Sequence, residues 1–415
     1  MNALLREARF LAKDRGAVLW IVLALLLSAA ATGFGIAEVR EQRQTIAALL
    51  AEDAKDRANA ISKHDAWGDA AYDAFHLTYA PPSDFAFAAL GQRDTAPWLH
   101  RVRMLSLESQ IHEADTANAD FGLIGRFDFA FLAAAVAPLL LILLLHDLRA
   151  GERVAGRHDW LVASAGTPRR LWLPRAGVRF GGLALALLVP FWIGAAIEGA
   201  GFGAALAASA LVVGSLAAWW AIIAVVGRRN ASPPALLAAL VGIWLMLALL
   251  IPAAARAGIE AAVPVPDGAE ILMLQRDAVN DAWDKPKAAT MTPFLARHPE
   301  WRALGTVEKP FEWKWYYAFQ QVGDQQAEPI VTAYRQGRLA RDRAAGWAAL
   351  LSPAALTERG LERLAGTDTR AMIAYEDRVR AFHARLRAFH YPLFFRDPPY
   401  DPVVLDGLPR YDPAP

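Results

Sequence analysis

Residues 131–172, "FLAAAVAPLLLILLLHDLRAGERVAGRHDWLVASAGTPRRLW", place a long apolar run directly before a stretch that is rich in arginine. The run from Phe129 to Leu145 contains no charged residue and no histidine, and its length falls in the range that crosses a bilayer as a helix. Charged side chains are costly inside hydrocarbon, so the arginines mark the point where the chain leaves it. This stretch therefore predicts a membrane protein.

Composition and four further apolar blocks support the same class. The chain has 415 residues, is 55% hydrophobic and carries a formal net charge of +1, which argues against a nucleic-acid partner. A charged residue at mid-bilayer costs about 2.5–3.5 kcal/mol, so five blocks without one are a strong signal. We expect an all-α polytopic membrane protein with spans at Ala17–Ala37, Phe129–Leu145, Phe180–Ile197, Gly201–Val226 and Ala235–Ala255.

The first block has an alternative interpretation as a cleaved signal peptide, because small residues follow it in "SAAATGFG". Its apolar core is about 20 residues long, whereas a signal peptide has about 7–15, so an uncleaved span is favoured. Residues 1–16 before it form an amphipathic pattern. They predict a helix lying on the cytoplasmic leaflet, with a solvated helical extension as the alternative.

The distribution of basic residues predicts the orientation of the spans. Arginine and lysine cluster before the first block, between the second and third, and between the fourth and fifth, whereas the hairpin at Glu198–Gly201 has none. Short cytoplasmic loops are enriched in these residues, so residues 146–179 are expected in the cytoplasm. Residues 38–128 and 256–415 are then extracytoplasmic. The predicted location is the bacterial cytoplasmic membrane, with the N-terminus inside and the C-terminus outside.

Both long exported segments are predicted to be mostly helical. The first span continues as a helix through "AEVREQRQTIAALLAEDAKDRANAI" and breaks at "YAPPSDF". The second segment has two predicted helices, Trp315–Leu351 and Pro353–Phe394, with Ser352 as the N-cap of the latter. The chain has no cysteine, so disulfides cannot stabilise either segment.

Residues 146–179 are longer than a connection between two spans requires. Apolar residues, the turn "AGTP" and flanking arginines predict a helix, a turn and a second helix, suited to docking on a cytoplasmic protein. The alternative is a basic anchor for the membrane topology that has no partner.

The pattern in this connector resembles that of the type-2 ABC exporter permeases. In "GERVAGRHDWLVASAGTPRRLWLPRAG", the residues at matching positions are Glu152, Gly156, Leu161, Ser164, Pro168, Arg169 and Leu171. The resemblance implies a helix bundle of the type-2 permease kind, in which this segment couples to a separate ATPase subunit that binds ATP and magnesium. It also implies a second permease subunit, either an identical copy or a related paralogue. The implied ATPase contacts are Glu152, Arg153, Gly156, Trp160, Leu161, Pro168, Arg169 and Arg170.

The resemblance extends over most of the chain. "GRFDFAFLAAAVAPLLLILLL" is similar to the second-span entry of these permeases, and "ALLSPAALTERGLERLAGTDT" to a region of a subgroup with large extracytoplasmic inserts. Such permeases usually have six spans, whereas five apolar blocks occur in this sequence. We therefore expect that a sixth span is dispensable or is supplied by a partner.

The sequence contains no motif that predicts catalysis. A phosphate-binding loop, a His-Glu-x-x-His motif and a Gly-x-Ser-x-Gly motif are all missing, so the chain is not expected to be an enzyme or to hold a cofactor. Metal sites need three or four convergent ligands. The histidine pairings His64 with Asp65, His112 with Glu113, and His383 with His390 are therefore expected to be ordinary, not metal-binding.

The aromatic segment "FEWKWYYAF", residues 311–319, has two interpretations. Trp313, Trp315, Tyr316 and Tyr317 could contact cargo or lie at the outer membrane interface, but a core of the extracytoplasmic domain is favoured. The absence of charge in the five blocks argues against an ion path and favours lipid-like cargo or mechanical transmission. The alternative function is a non-transporting scaffold whose outer helical domain binds an extracytoplasmic protein.

Overall fold

The computed structural model describes residues 3–113 and 127–414. Residues 114–126, part of the predicted segment 38–128, lie outside the described residues, as do residues 1, 2 and 415. The described chain is almost entirely helical, which confirms the all-α class. Its first four helices, α1 to α4, are Ala3–Leu11, Arg15–Lys63, Trp67–Asp73 and Leu107–His112.

Five helical stretches are long and apolar enough to cross a membrane, and we call them the first to the fifth span on that basis. Each predicted span lies within one of them, except that Gly201 is the N-cap of the fourth. The five stretches are Arg15–Lys63, Phe129–Val154, Pro168–Glu198, Phe202–Val226 and Pro233–Ala262. Helices α5 to α12 form the last four of these stretches and the connector. They are Phe129–Phe131, Ala137–Leu145, Ala150–Val154, His158–Ala165, Pro168–Glu198, Phe202–Val226, Pro233–Leu245 and Ile251–Ala262.

Two spans contain a wide π-helical turn. Leu132–Val136 joins α5 to α6, and Met246–Leu250 joins α11 to α12. In both cases a proline, Pro138 or Pro252, lies two residues after the wide turn. A proline inside a helix lacks the N–H group and collides with the preceding turn, so local widening relieves the conflict.

Helix α2 is 49 residues long, or about 74 Å, so it extends well beyond the thickness of a bilayer, as the sequence predicted. A short 3₁₀ turn, Ala86–Ala88, packs on it at Gly35. A Cβ atom at Gly35 would lie 1.9 Å from the Phe87 carbonyl oxygen, so only glycine permits this approach.

The carboxy-terminal helices form a second packed unit with the segments that follow α2. Helices α13 to α17 are Gly268–Asp284, Lys287–Arg297, Trp313–Ala348, Pro353–Ala365 and Thr369–Arg396. A two-stranded antiparallel sheet, which the sequence pattern did not predict, pairs β1, His76–Tyr79, with β2, Leu99–Val102. Buried aromatic residues such as Trp67, Tyr317 and Phe382 form the core of this unit.

The predicted helix Pro353–Phe394 is in fact two helices. Ser352 caps the first as predicted, because its side chain accepts a hydrogen bond from the Ala355 N–H. That helix ends at Gly366, which has a φ of 64°. Asp368 then caps α17 by accepting from the Ala371 N–H. The Gly-Thr-Asp sequence therefore stops one helix and starts another.

Helix α16 packs directly on the spanning helices. Leu361 and Ala365 belong to the same apolar cluster as Leu132 of the second span and Val212 of the fourth. The Ser83 hydroxyl donates to the Ala365 carbonyl oxygen at 2.6 Å and fixes the end of the helix. The carboxy-terminal unit is thus joined to the bundle through α16.

Candidate functional site

The connector after the second span consists of α7 and α8. The sequence predicted a connector over residues 146–179, but α9 already begins at Pro168, so residues 168–179 are the first turns of the third spanning helix. Gly156, with a φ of 68°, ends α7, and Gly166, with a φ of 77°, ends α8. These positive φ values favour glycine: Gly156 sets the turn between α7 and α8, and Gly166 sets the turn between α8 and α9.

A chain of ion pairs fixes α7 to two other helices. Glu152 accepts from Arg157 at 2.8 Å and from Arg175 of α9 at 3.2 Å. Arg175 also contacts Glu7 of α1 at 3.2 Å, and the Glu7 side chain is only 2% exposed. Because Arg175 bridges two carboxylates, α1, α7 and α9 are held as one assembly.

A second set of contacts fixes the connector to the turn after the fourth span. Arg153 donates to the carbonyl oxygens of Gly227 and Arg229, each at 3.0 Å. Trp172 is buried beneath α8, where the His158 ring stacks on it at 5.6 Å between ring centroids. The base of the connector is therefore fixed to α9 and to the turn between α10 and α11.

The outer side of the connector is open to solvent and partly apolar. Trp160 is 72% exposed on α8 and Val154 is 73% exposed on α7, although both are large hydrophobic residues. Gly156, Pro168, Arg169 and Arg170 are also exposed, whereas Leu161 is half-buried. An exposed tryptophan ringed by charges is typical of a protein-docking surface. Sequence reasoning did not single out Val154, which follows Arg153 directly.

The predicted contact residues therefore divide into two groups. Glu152 and Arg153 are engaged inside the chain and hold the connector in place. Trp160, Pro168, Arg169 and Arg170 point outward and can meet another molecule. We call these four residues together with Val154 and Gly156 the connector surface.

The aromatic segment lies in the second packed unit. Trp315 and Tyr317 are buried, and each donates a hydrogen bond: Trp315 Nε1 to Thr290 Oγ1 at 2.9 Å and the Tyr317 hydroxyl to the Gly68 carbonyl oxygen at 2.8 Å. Burial raises the pKa of Tyr317 well above its usual value. Trp313 and Tyr316 are half-buried, with ring centroids 5.6 Å apart. Trp315 and Tyr317 thus pack the core and do not line an open surface.

Three of the histidines that the sequence singled out contact a backbone carbonyl or a carboxylate oxygen. His383 and His390 of α17 are buried and are hydrogen-bonded to the carbonyl oxygens of Arg103 and Leu386. Burial lowers the pKa of His390 to about 4. His64 contacts Asp73 at 2.7 Å and not the adjacent Asp65. Among residues 3–113 and 127–414, no group of three or more potential metal ligands converges.

A charged cleft of about 550 Å³ between α4, α15 and α17 was not expected from the sequence. Arg380 forms two hydrogen bonds to Glu108, at 2.7 and 2.9 Å, and Arg387 forms an ion pair with Asp324. Burial by itself raises the pKa of Glu108, but hydrogen bonds from Arg380 and the nearby His112 ring, whose Nε2 is 3.6 Å away, lower it to about 2. The cleft walls therefore carry paired charges. No local sequence signal predicts this cleft, because the residues that form its ion pairs are far apart in sequence.

Comparison with known proteins gives one match. The family model described as "Domain of unknown function (DUF3526)" matches residues 269–414, about a third of the chain. This region comprises nearly all of α13 to α17 and the tail that follows them, and includes α16. Comparison of the chain with curated proteins and with solved structures gave no match.

Proposed function

We propose that the chain is a membrane permease subunit of an ABC transporter of the type-2 exporter class, and that α7 and α8 dock on a separate ATPase subunit. The observation that carries this proposal is the connector surface. It presents Trp160 and Val154 to solvent on two short helices whose bases are fixed by ion pairs. Exposing two large apolar side chains is unfavourable unless a partner covers them. In this proposal ATP and magnesium bind to the partner, and this chain supplies no catalytic residue.

The proposed orientation puts the connector in the cytoplasm. The basic residues at this end of the bundle support it, because short cytoplasmic loops are enriched in arginine. The N-terminus is then cytoplasmic, and the carboxy-terminal unit with the charged cleft lies outside the bacterial cytoplasmic membrane.

The contacts at the connector base suggest how motion of the ATPase reaches the membrane. A force on α8 passes through Glu152 and Arg175 to α9 and α1, and through Arg153 to the turn between α10 and α11. At the other end, α16 joins the fourth span to the carboxy-terminal unit. A second permease subunit, identical or paralogous, completes the transporter, which exports lipid-like cargo or transmits movement to the outer unit.

The test is to purify the chain together with a phosphate-loop ATPase encoded next to it and to compare two tryptophan variants. Trp160→Asp is expected to abolish co-purification and the stimulation of ATP hydrolysis, because it puts a charge at the centre of the docking surface. Trp347→Asp is the matched control, since Trp347 is 76% exposed at the far end of α15. Unchanged binding by Trp160→Asp would refute the docking role.

Orientation can be tested separately because the chain contains no cysteine. Ala163→Cys in α8 and Gln336→Cys in α15 each introduce one exposed thiol. A membrane-impermeant maleimide applied to spheroplasts is expected to label only the Gln336→Cys variant, and both variants after the membrane is broken. Labelling of Ala163→Cys in intact spheroplasts would overturn the proposed topology.

The charged cleft favours a second candidate function, a scaffold that binds an extracytoplasmic protein without transport. A cleft of about 550 Å³ lined by polar side chains can receive a polar peptide segment. The two candidates differ in one measurement. A scaffold shows no ATPase stimulation by the chain, and Trp160→Asp then has no effect on its activity.

A further inference from the structure

A crevice of about 540 Å³ lies at the connector end of the bundle, between the second, third and fourth spanning helices. Trp172 and Leu173 of α9 form one wall, and Ala217, Trp220 and Ala221 of α10 form the other. Leu173 is 63% exposed, and Ala217 and Ala221 are exposed as well. The crevice therefore opens sideways, toward the surface that faces lipid when the five helices cross a membrane.

Three arginines surround the same crevice: Arg149, Arg169 and Arg228. Within the described ranges 3–113 and 127–414, none of the three forms an ion pair with a carboxylate. The charges that act most strongly on Arg149 are those of Arg228 and Arg153, which have the same sign. The crevice thus concentrates three positive charges without an ion-pair partner among the described residues, and Arg149 lies over the Trp172 ring, 5.8 Å from the ring centroid.

Some other arginines at the connector end do pair with a carboxylate. Arg157 and Arg175 are paired with Glu152, and Arg179 is paired with Asp14 at 2.8 Å. Arg149, Arg169 and Arg228 have no such carboxylate partner among the described residues, and they converge on one crevice. Positive charges brought together at a partly apolar site attract an anion when no carboxylate pairs with them.

We propose that this crevice binds an anionic phospholipid from the surrounding bilayer. The headgroup phosphate lies among Arg149, Arg169 and Arg228, where guanidinium groups can donate paired hydrogen bonds to phosphate oxygens. The acyl chains extend along Leu173 and the small residues of α10. Basic pockets between spanning helices are recognised sites for such headgroups. The proposal requires the five helices to cross a bilayer but does not depend on ATPase docking.

The walls favour a lipid over a soluble anion. Trp220 and the exposed Leu173 contribute apolar surface, and Trp220 stacks on Phe180 with ring centroids 5.1 Å apart. Tryptophan is enriched at the level of lipid headgroups, where one side of the ring meets hydrocarbon. A free phosphate would use the arginines and leave these surfaces uncovered.

The test uses the full-length protein in mild detergent and native mass spectrometry to count bound lipids. Phosphatidylglycerol is expected to bind, and phosphatidylcholine at the same concentration to bind far more weakly. The double variant Arg149→Gln/Arg228→Gln is expected to weaken phosphatidylglycerol binding about 25-fold, from about fivefold for each arginine. Arg229→Gln is the matched control, because Arg229 adjoins Arg228 in the same turn but does not line the crevice.

Three outcomes would overturn the proposal: equal retention of phosphatidylglycerol by the double variant, equal loss in Arg229→Gln, or displacement of the lipid by an excess of inorganic phosphate. If the double variant does not fold, the single variant Arg228→Gln is used instead, and it is expected to weaken phosphatidylglycerol binding about fivefold. Arg228→Lys keeps the charge and is expected to retain most of the binding, and unchanged binding by Arg228→Gln would overturn the proposal. Trp160→Asp is expected to bind lipid normally, so failure of ATPase docking and failure of lipid binding are distinguishable.

Discussion

Leu211 of the fourth span occupies the space that a side chain at Gly360 would need. A Cβ atom at Gly360 would lie 2.7 Å from Leu211 Cδ1, closer than side chains normally approach. This contact places α16 against the middle of a spanning helix and not merely at its end. The region matched by the family model therefore reaches into the apolar bundle through one short helix.

Enlarging Gly360 is expected to separate the two units. Gly360→Leu inserts a bulky side chain where Leu211 already lies, so it should lower the free energy of unfolding by about 1–3 kcal/mol. The measurement is the thermal unfolding midpoint of the detergent-purified protein. Gly214→Leu is the control, because nothing lies within 4 Å of its Cβ position. Equal midpoints for the two variants would contradict the packing of α16 on α10.

Glu198 holds the extension of α2 to the end of α9. Its side chain is 2% exposed and contacts Arg43 at 2.7 Å and Arg40 at 3.2 Å. Glu198→Gln should lower the free energy of unfolding by about 2 kcal/mol, less than for a fully buried pair because both arginines reach solvent. Arg40→Gln should have a smaller effect, since Arg43 remains. Thermal midpoints give the order, and a larger loss in Arg40→Gln would contradict it.

The parts of the fold that depend on local pattern could be predicted from the sequence. Uncharged blocks predicted the five apolar helices, and the continued helical periodicity predicted that α2 extends far beyond its apolar block. The cap at Ser352 follows from a serine before a proline. The break at Gly366 differs from the single long helix predicted there, although its signal is local: a glycine that ends one helix is followed by an aspartate that caps the next.

Features that join distant segments had no local signal. Glu108 and Arg380 are 272 residues apart in sequence, so their pairing, and with it the charged cleft, depends on tertiary packing. The same reason explains why the sequence alone could not show that Glu152 faces inward and Trp160 faces solvent. Whether a side chain faces inward depends on Arg175 of another helix, and the short sequence pattern does not include that helix.

Stability is expected to fall in mild acid because of buried histidines. Burial lowers the pKa of His390 from 6.5 to about 4, so the folded protein keeps this ring neutral. The unfolded chain takes up a proton below about pH 6.5, and binds more protons than the folded state in this window. The stabilising contribution is therefore complete above pH 6.5 and is lost as pH falls toward 4, by about 2 kcal/mol at pH 5 for one histidine.

His390→Gln tests this origin, because glutamine does not titrate. The variant is expected to be less stable at pH 7, where its packing is worse, but to lose less stability between pH 7 and pH 5 than the original protein. Thermal midpoints across this range give the slope. A slope that is unchanged in both His390→Gln and His383→Gln/His390→Gln would rule out these two histidines as the cause.

The angle between α7 and α8 depends on Gly156, and a single methyl group tests it. An alanine with the φ of 68° found there is disfavoured by about 1–2 kcal/mol. Gly156→Ala is therefore expected to increase local opening of the connector about five- to thirtyfold, measured as faster tryptic cleavage after Arg157.

Gly151→Ala is the matched control, because Gly151 lies inside α7 with open space at its Cβ position and a helical backbone. Trypsin should cleave Gly151→Ala no faster than the original protein, because alanine stabilises a helix relative to glycine. Faster cleavage in both variants would mean that the connector tolerates no change at all, and equal rates in all three proteins would mean that its shape is not set at Gly156.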